Sequence, residues 1–252
     1  MKLSDLQIKN NFDAAAATYD QYASVQKKTS EYLAFFCSSF FKDPQKFSSE
    51  NPQKILDIGS GTGFTTIAFQ KYYRHAQYTL CDISENMIHI ARDKVPNQNY
   101  IVNDAENNTF CDTYDLGISN LALQWFRDIE SFLAKILLKC KYFAFSIPVK
   151  GSFSAYENLF AEKNIPILAH RYRDTDALLA LVQKWGDVMQ SSFKRHDLFF
   201  ENAFDAAKHF KYVGAQSTTI RQNRAQIVAR LLRNSVKINL NYDVFFVLLR
   251  GR

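Results

Sequence analysis

Residues Ile55–Phe64 read ILDIGSGTGF, an apolar run entering three closely spaced glycines, and the fold turns on how this stretch is read. Ile55–Ile58 is predicted to be a strand. Gly59, Gly61 and Gly63 then form a loop that can adopt positive φ and lie against a ligand without a Cβ in the way. A helix expected to begin near Thr62–Phe64 directs its free N–H groups into that loop. Dinucleotide sites use the spacing G-x-G-x-x-G, whose third glycine serves close helix–strand packing. Here the third glycine comes one position early, giving G-x-G-x-G, and Phe64 occupies the place the dinucleotide pattern would fill.

Outward from this loop, short apolar strands fit 55–58, 78–82, 99–102, 115–119 and 142–147, with helix-length segments between most of them. That alternation implies a parallel sheet covered on both faces. Two further strands fit 196–201 and 242–249. The expected fold class is therefore α/β, a doubly wound, seven-stranded, mostly parallel sheet. Apolar positions at helical spacing mark 12–41, and 42–54 reads as a connector containing Pro44 and Pro52. Past Pro148, helices fit 152–163, 175–185, 203–213 and 223–234. None brings a core of its own, so they are read as a lid over the sheet. A single domain over 1–252 is expected: an N-terminal helical segment at 1–50, a ligand-binding core at 51–149, and lid helices with the last two strands at 150–252.

Acidic residues recur at the strand ends. Asp57 stands just before the glycine loop. Tyr78–Ser84 (YTLCDIS) ends its strand in Asp82, 19 residues after Gly63, where a carboxylate can accept both hydroxyls of a ribose. Val102–Glu106 (VNDAE) presents Asp104 and Ala105 after a third strand. In a doubly wound sheet these ends line the ligand crevice. The combination resembles motif I and its downstream acids in the class I methyltransferases dependent on S-adenosylmethionine (SAM). The resemblance implies a Rossmann-like fold with SAM as cofactor, held by Asp57, Gly59, Gly61, Gly63, Asp82, Ile83, Met87, Asp104, Ala105 and Asn120. Ile83 is expected on the adenine and Asp104 near its amino group. SAM carries a sulfonium and an ammonium but no phosphate, so acids rather than bases around the loop suit it.

A narrower likeness extends over most of the chain. Phe12–Tyr19 (FDAAAATY) with Asp20–Lys28 (DQYASVQKK), and Ser119–Trp125 (SNLALQW), are similar to segments of the malonyl-(acyl-carrier protein) O-methyltransferases of biotin synthesis. Pro148–Phe153 (PVKGSF), His170–Tyr172 (HRY) and Lys211–Ala215 (KYVGA) resemble later segments of that family. Thr62 departs from it, since the family frequently has proline there, and the likeness loosens after 175. The resemblance places Tyr19 over cofactor and acceptor and an arginine at Arg171, whose guanidinium fork matches a carboxylate. Arg173 and Lys150 are further cation candidates, and Trp125 and Gln124 are expected to shape the acceptor pocket. A malonyl carboxylate, with a pKa of about 4, is already ionised at neutral pH, so methyl transfer to it needs no general base. No such base stands out in the chain.

The charge is unevenly placed. Residues 1–169 hold 17 basic and 18 acidic residues, whereas 170–252 hold 14 basic and 7 acidic, a balance of +7. An acidic partner approaching the last third would explain this, as would a merely solvated basic face. An acidic acyl-carrier protein carrying a malonyl group is the partner the resemblance implies. Nucleic acid as substrate is disfavoured, since SNLA rather than an N/D-P-P-Y tetrad follows the fourth strand. The four cysteines, Cys37, Cys81, Cys111 and Cys140, have no CxxC spacing, so no metal site is expected. Met1–Asn10 lacks the apolar run of a signal peptide and no stretch of 18 apolar residues exists, so a cytoplasmic protein without membrane association is expected. Two alternatives stay open: another small-molecule methyltransferase acting on a quinone precursor or a free carboxylic acid, and a methyltransferase-like assembly factor of respiratory complexes.

Overall fold

The computed structural model describes residues 3–42, 51–162, 172–215 and 229–252. Its centre is a seven-stranded sheet, β1 (Lys54–Ile58), β2 (Gln77–Asp82), β3 (Asn99–Val102), β4 (Tyr114–Asn120), β5 (Cys140–Pro148), β6 (Gly186–Phe200) and β7 (Ile238–Gly251), in the order β3-β2-β1-β4-β5-β7-β6. β1 pairs in parallel with both β2 and β4, while β7 runs antiparallel between β5 and β6. The chain leaves β1 toward β2 and β3, then crosses back to lay β4 on the other side of β1. That reversal opens a crevice beyond the carboxyl ends of β1 and β4.

Buried apolar residues fall into two clusters. One, centred on Leu33, Phe40, Phe69 and Phe246, receives α2 (Ser24–Phe41), α3 (Phe64–Gln70) and α4 (Glu85–Lys94). The other, with Leu56, Phe132, Phe143 and Leu249, receives α5 (Ile129–Ile136) and α7 (Thr175–Val182). Strands such as β1, buried from Ile55 to Ile58, read as unbroken apolar runs because helices cover both faces. Many of the 22 phenylalanines therefore serve the core: Phe40, Phe69, Phe143, Phe145, Phe160 and Phe246 are among the largest fully buried side chains.

Three boundaries differ from the sequence reading. The helical spacing of 12–41 resolves into α1 (Asp5–Tyr22) and α2, which part at Ala23 (φ −81, ψ 43). A capping box between Ser4 and Gln7 starts α1 seven residues before the first periodic apolar position recognised, Phe12. The largest difference is β6, which begins at Gly186 rather than 196 and displaces the end of the helix expected over 175–185 to Val182. β6 is an edge strand with only β7 beside it; Gln190 and Ser192 are half-buried and Ser191 and Lys194 exposed. No clean apolar alternation marks such a strand. Helices α6 (Ser154–Glu162) and α8 (Ala203–Tyr212) lie close to their expected places. The helix expected over 223–234 and the connector at 42–54 fall partly outside the described residues. Among the described residues no helix is long and apolar enough to cross a membrane.

Candidate cofactor and acceptor site

The three glycines of the loop all have positive φ, yet the space around each differs. A Cβ on Gly59 would stand 2.3 Å from the Cβ of Ala122, so this glycine admits the chain that follows β4. A Cβ on Gly63 would meet Val95 Cγ2 at 2.8 Å and Ala91 Cβ at 3.6 Å, so this one admits α4. Only Gly61 faces open space, its nearest neighbour being Tyr19 Cε1 at 3.9 Å. Of the three, then, Gly61 is bare for a ligand and the others are bare for packing.

The carboxylates stand at the strand ends, in the expected order. Asp57 is fully buried, and its Oδ2 accepts a hydrogen bond from Thr66 Oγ1 (2.7 Å) while Oδ1 has no partner. Burial pushes its pKa up to about 7, with the nearby Asp82 charge adding to the shift and the Thr66 hydrogen bond opposing it. Asp82 Oδ2 accepts from the Gly61 N–H (2.8 Å) and Oδ1 from the Ser84 N–H (2.8 Å). Burial again outweighs those hydrogen bonds and raises it to about 6. A carboxylate has roughly four acceptor sites, so Asp82 retains acceptor capacity after fixing the loop. Asp104, half-buried, accepts from the Glu106 N–H (3.0 Å) and from Asn107 Nδ2 (2.6 Å), which turns the chain after β3 toward the crevice.

These groups open onto one cleft at the strand ends. Gly59, Gly61, Asp82, Ile83, Met87, Asp104, Ala105 and Asn120 line it, and so do Tyr19 and Trp125. Asp57 and Gly63 support it from behind. One wall was missed by sequence reasoning: Asp5, Ile8 and Phe12 of α1 line the cleft together with Tyr19. Their spacing along a single helix face was the available signal. Phe12 meets Trp125 edge-on, ring centroids 5.6 Å apart.

Asn120 sits differently from expectation. Its Nδ2 donates to Gln26 O and Ser30 Oγ (both 3.0 Å), and its Oδ1 accepts from Ser146 Oγ (2.6 Å). The amide thus ties the end of β4 to α2 and β5, and its polar atoms are committed within the protein. The next residue, Leu121, takes the left-handed conformation (φ 49), and its carbonyl accepts from Gln124 Nε2 (2.6 Å).

Tyr19 lies half-buried in the cleft wall. Withdrawal of its hydroxyl from water, reinforced by the charge of Asp82, raises its pKa well above the ordinary value, so it stays neutral. Near it, Tyr242 OH and His209 Nε2 are 3.1 Å apart, with His209 lowered to about 4 by burial and therefore uncharged. Gln124 bonds its own loop, and neither it nor the exposed Lys150 and Arg173 lines the cleft. Lys150 and Arg173 are instead joined through their backbones, N–H to carbonyl, at 2.9 Å. Arg171 lies outside the described residues. Among the described residues no cluster of His, Cys, Asp and Glu could hold a metal ion.

A sheet of this order with β7 reversed, and a glycine loop at its switch point, defines the class I SAM-dependent methyltransferase fold. The fold is shared with the plantazolicin methyltransferase BpumL, solved in complex with SAH, at a TM-score of 0.55 and 16% identity over 98% of this chain and 96% of that one. Residues 55–141 match the family described as a methyltransferase domain. Along its sequence the chain is similar to the malonyl-(acyl-carrier protein) O-methyltransferases. That of Bacillus anthracis is 32% identical over 131 residues, 51% of this chain and 46% of that protein. The second such enzyme of Coxiella burnetii is 25% identical over 248 residues, 95% of this chain and 94% of that protein. The chain therefore spans less than half the length of several relatives it matches and nearly all of another. The family likeness read from the sequence is borne out.

Proposed function

We propose that this protein is a SAM-dependent carboxyl O-methyltransferase acting on the free carboxylate of a malonyl thioester carried by an acyl-carrier protein, an early step of biotin synthesis. The observation that carries the cofactor reading is the cleft itself, where Gly61 is bare and Asp82, fixed by two backbone N–H groups, keeps unused acceptor capacity. The donor set fits SAM. Asp82 would take the ribose hydroxyls, and Asp104 and Ala105 would face the adenine beside Ile83 and Met87. SAH, bound by the structurally similar BpumL, is the demethylated product of SAM. When bound, the cofactor supplies an electrophilic methyl group on a sulfonium.

What remains for the chain is positioning. Tyr19, Phe12 and Trp125 close the cleft on the acceptor side and exclude water. The neutral Tyr19 hydroxyl is a donor that can orient a carboxylate without removing a proton from it. Orientation of this kind supplies at best roughly 7–11 kcal/mol of barrier reduction, which suits an acceptor already ionised. Arg171 remains our candidate for the cation facing the carboxylate, on the strength of the sequence likeness. The names of the relatives support the malonyl-carrier assignment, as does the basic last third, where Lys194, Arg195, Lys208, Lys211, Arg233 and Lys237 are exposed to an acidic partner. The four free thiols fit a reducing, cytoplasmic setting.

The test gives the purified protein labelled SAM with malonyl-carrier protein, malonyl-CoA or free malonate. Label is expected in a base-labile methyl ester, with the carrier-linked acceptor preferred. Binding of SAM without transfer to either thioester would reject the malonyl assignment and leave a methyltransferase of another acceptor.

A further inference from the structure

Helix α1 covers the cofactor cleft, and besides the ring contacts of Phe12 with Trp125 and Tyr22 with Tyr212 it is held there by polar contacts. Ile8, Ala15 and Ala16 are its only buried residues. Asp5 pairs with Arg127 in the loop after β4. Asp13 accepts from Ser84 Oγ (2.6 Å) and the Asn86 N–H (3.3 Å) at the head of α4. Asp20, beside Tyr19, accepts from Thr62 Oγ1 at 2.5 Å through Oδ1 and from Lys94 Nζ at 2.7 Å through Oδ2. Lys94 also donates to Thr62 Oγ1 (3.2 Å) and lies over the Phe64 ring at 4.1 Å. Thr62 is buried between Gly61 and Gly63, so Asp20 grips the middle of the glycine loop from the helix that covers it. An element with few buried apolar contacts has low local stability, and the polar contacts then decide whether it stays seated.

We propose that Asp20 is a positioning residue. Through Thr62 and Lys94 it couples the seating of α1, and with it Tyr19, to the glycine loop, so that the cofactor is retained while this latch is closed. The proposal rests on the cofactor reading above. The Thr62 hydroxyl uses both of its functions here, its proton on Asp20 and its lone pair on Lys94, which a residue without a hydroxyl cannot do. Thr62 is also where the sequence departs from its look-alike family, which frequently has proline at that position.

SAH release is measured by stopped flow for the wild type and for Thr62→Val, Thr62→Ser and Asp20→Ala, with hydrogen exchange of residues 5–22 followed in parallel. Thr62→Val and Asp20→Ala should release SAH about tenfold faster, the loss expected for one charge-assisted hydrogen bond. The acceptor KM should rise in step with SAH release in Thr62→Val and Asp20→Ala, because Tyr19 and Phe12 move with α1. Thr62→Ser should behave as wild type, and the double variant should be no faster than either single one, since all disrupt one latch. SAH should slow exchange in α1 of the wild type and of Thr62→Ser, and do so much less in the other two. Folded Thr62→Val or Asp20→Ala releasing SAH at the wild-type rate would overturn the latch alone. A wild-type protein that binds no SAH would remove the cofactor reading and this proposal with it.

Discussion

At the scale of single residues, the glycine loop separates two kinds of constraint that look alike in sequence. Gly59→Ala forces a methyl onto Ala122 and should cost on the order of 1–3 kcal/mol, read as a lower midpoint in thermal or urea unfolding. Gly61→Ala meets open space, so its stability loss should be limited to about 1 kcal/mol of left-handed strain. Its SAH affinity should nevertheless fall at least about tenfold, because the bare surface is gone. Equal losses of stability in the two variants would contradict this division. The acids add a pH dependence whose sign can be worked out. Asp57 in the folded protein stands at about 7, above its ordinary 3.8. The folded state therefore binds the proton more tightly, and the contribution to stability present at low pH is lost as pH rises through about 7. Asp57→Asn should thus raise the melting temperature of the ligand-free protein at pH 8 and change it little only at about pH 3, below the ordinary value of 3.8. For Asp82, the ribose ligand proposed above, a cationic cofactor favours the charged form, so SAM affinity should decline as pH falls through about 6. Titration calorimetry across that range checks it, and a flat profile would count against Asp82 as a ligand.

At the scale of elements, two surfaces show how tertiary context overrides local pattern. The segment SNLALQW was legible as a site segment, and Trp125 and Asn120 do border the cleft. The role of the Asn120 side chain was not legible, because it depends on Gln26, Ser30 and Ser146, which come from α2 and β5. Asn120→Ala removes three buried hydrogen bonds, although Ser30, Ser146 and the Gln26 carbonyl each keep another, and should cost roughly 1–3 kcal/mol in urea unfolding. SAM affinity should fall less than for Gly61→Ala, since the polar atoms of the asparagine are already hydrogen-bonded within the protein. β6 teaches the complementary lesson. Its first ten residues carry no apolar alternation, because an edge strand can leave one flank and much of one face in water. By contrast β7, inserted between β5 and β6, is buried from Asn241 to Leu249 and announced itself as an apolar run.

At the scale of the whole molecule, the asymmetry of charge becomes a statement about encounter. Residues 170–252 carry 14 basic against 7 acidic residues, and several of the basic ones are exposed on β6, α8 and the chain leading into β7. Attraction between exposed charges is screened within about 10 Å at 0.1 M salt. The KM for malonyl-carrier protein should therefore rise several-fold between about 50 and about 300 mM salt, while that for malonyl-pantetheine, which lacks the carrier, should hardly change. Parallel responses of the two acceptors would remove the electrostatic role assigned to the last third.

The sequence by itself determined the loop, the order of the strand-end acids and hence the sheet class, because each is written in contiguous residues with a fixed period or spacing. Strand ends in a parallel sheet converge on one crevice whatever the connecting helices do, so Asp82 and Asp104 could be expected at one cleft without coordinates, with Asp57 behind it. Only the tertiary structure decided what each glycine makes room for, which asparagine atoms are already spent, and that α1 walls the cleft through aspartates gripping α4 and the loop. Those facts depend on distances between residues far apart in the chain: 42 positions separate Asp20 from Thr62, and 63 separate Gly59 from Ala122. Contacts of that kind follow from packing, and no local pattern records them.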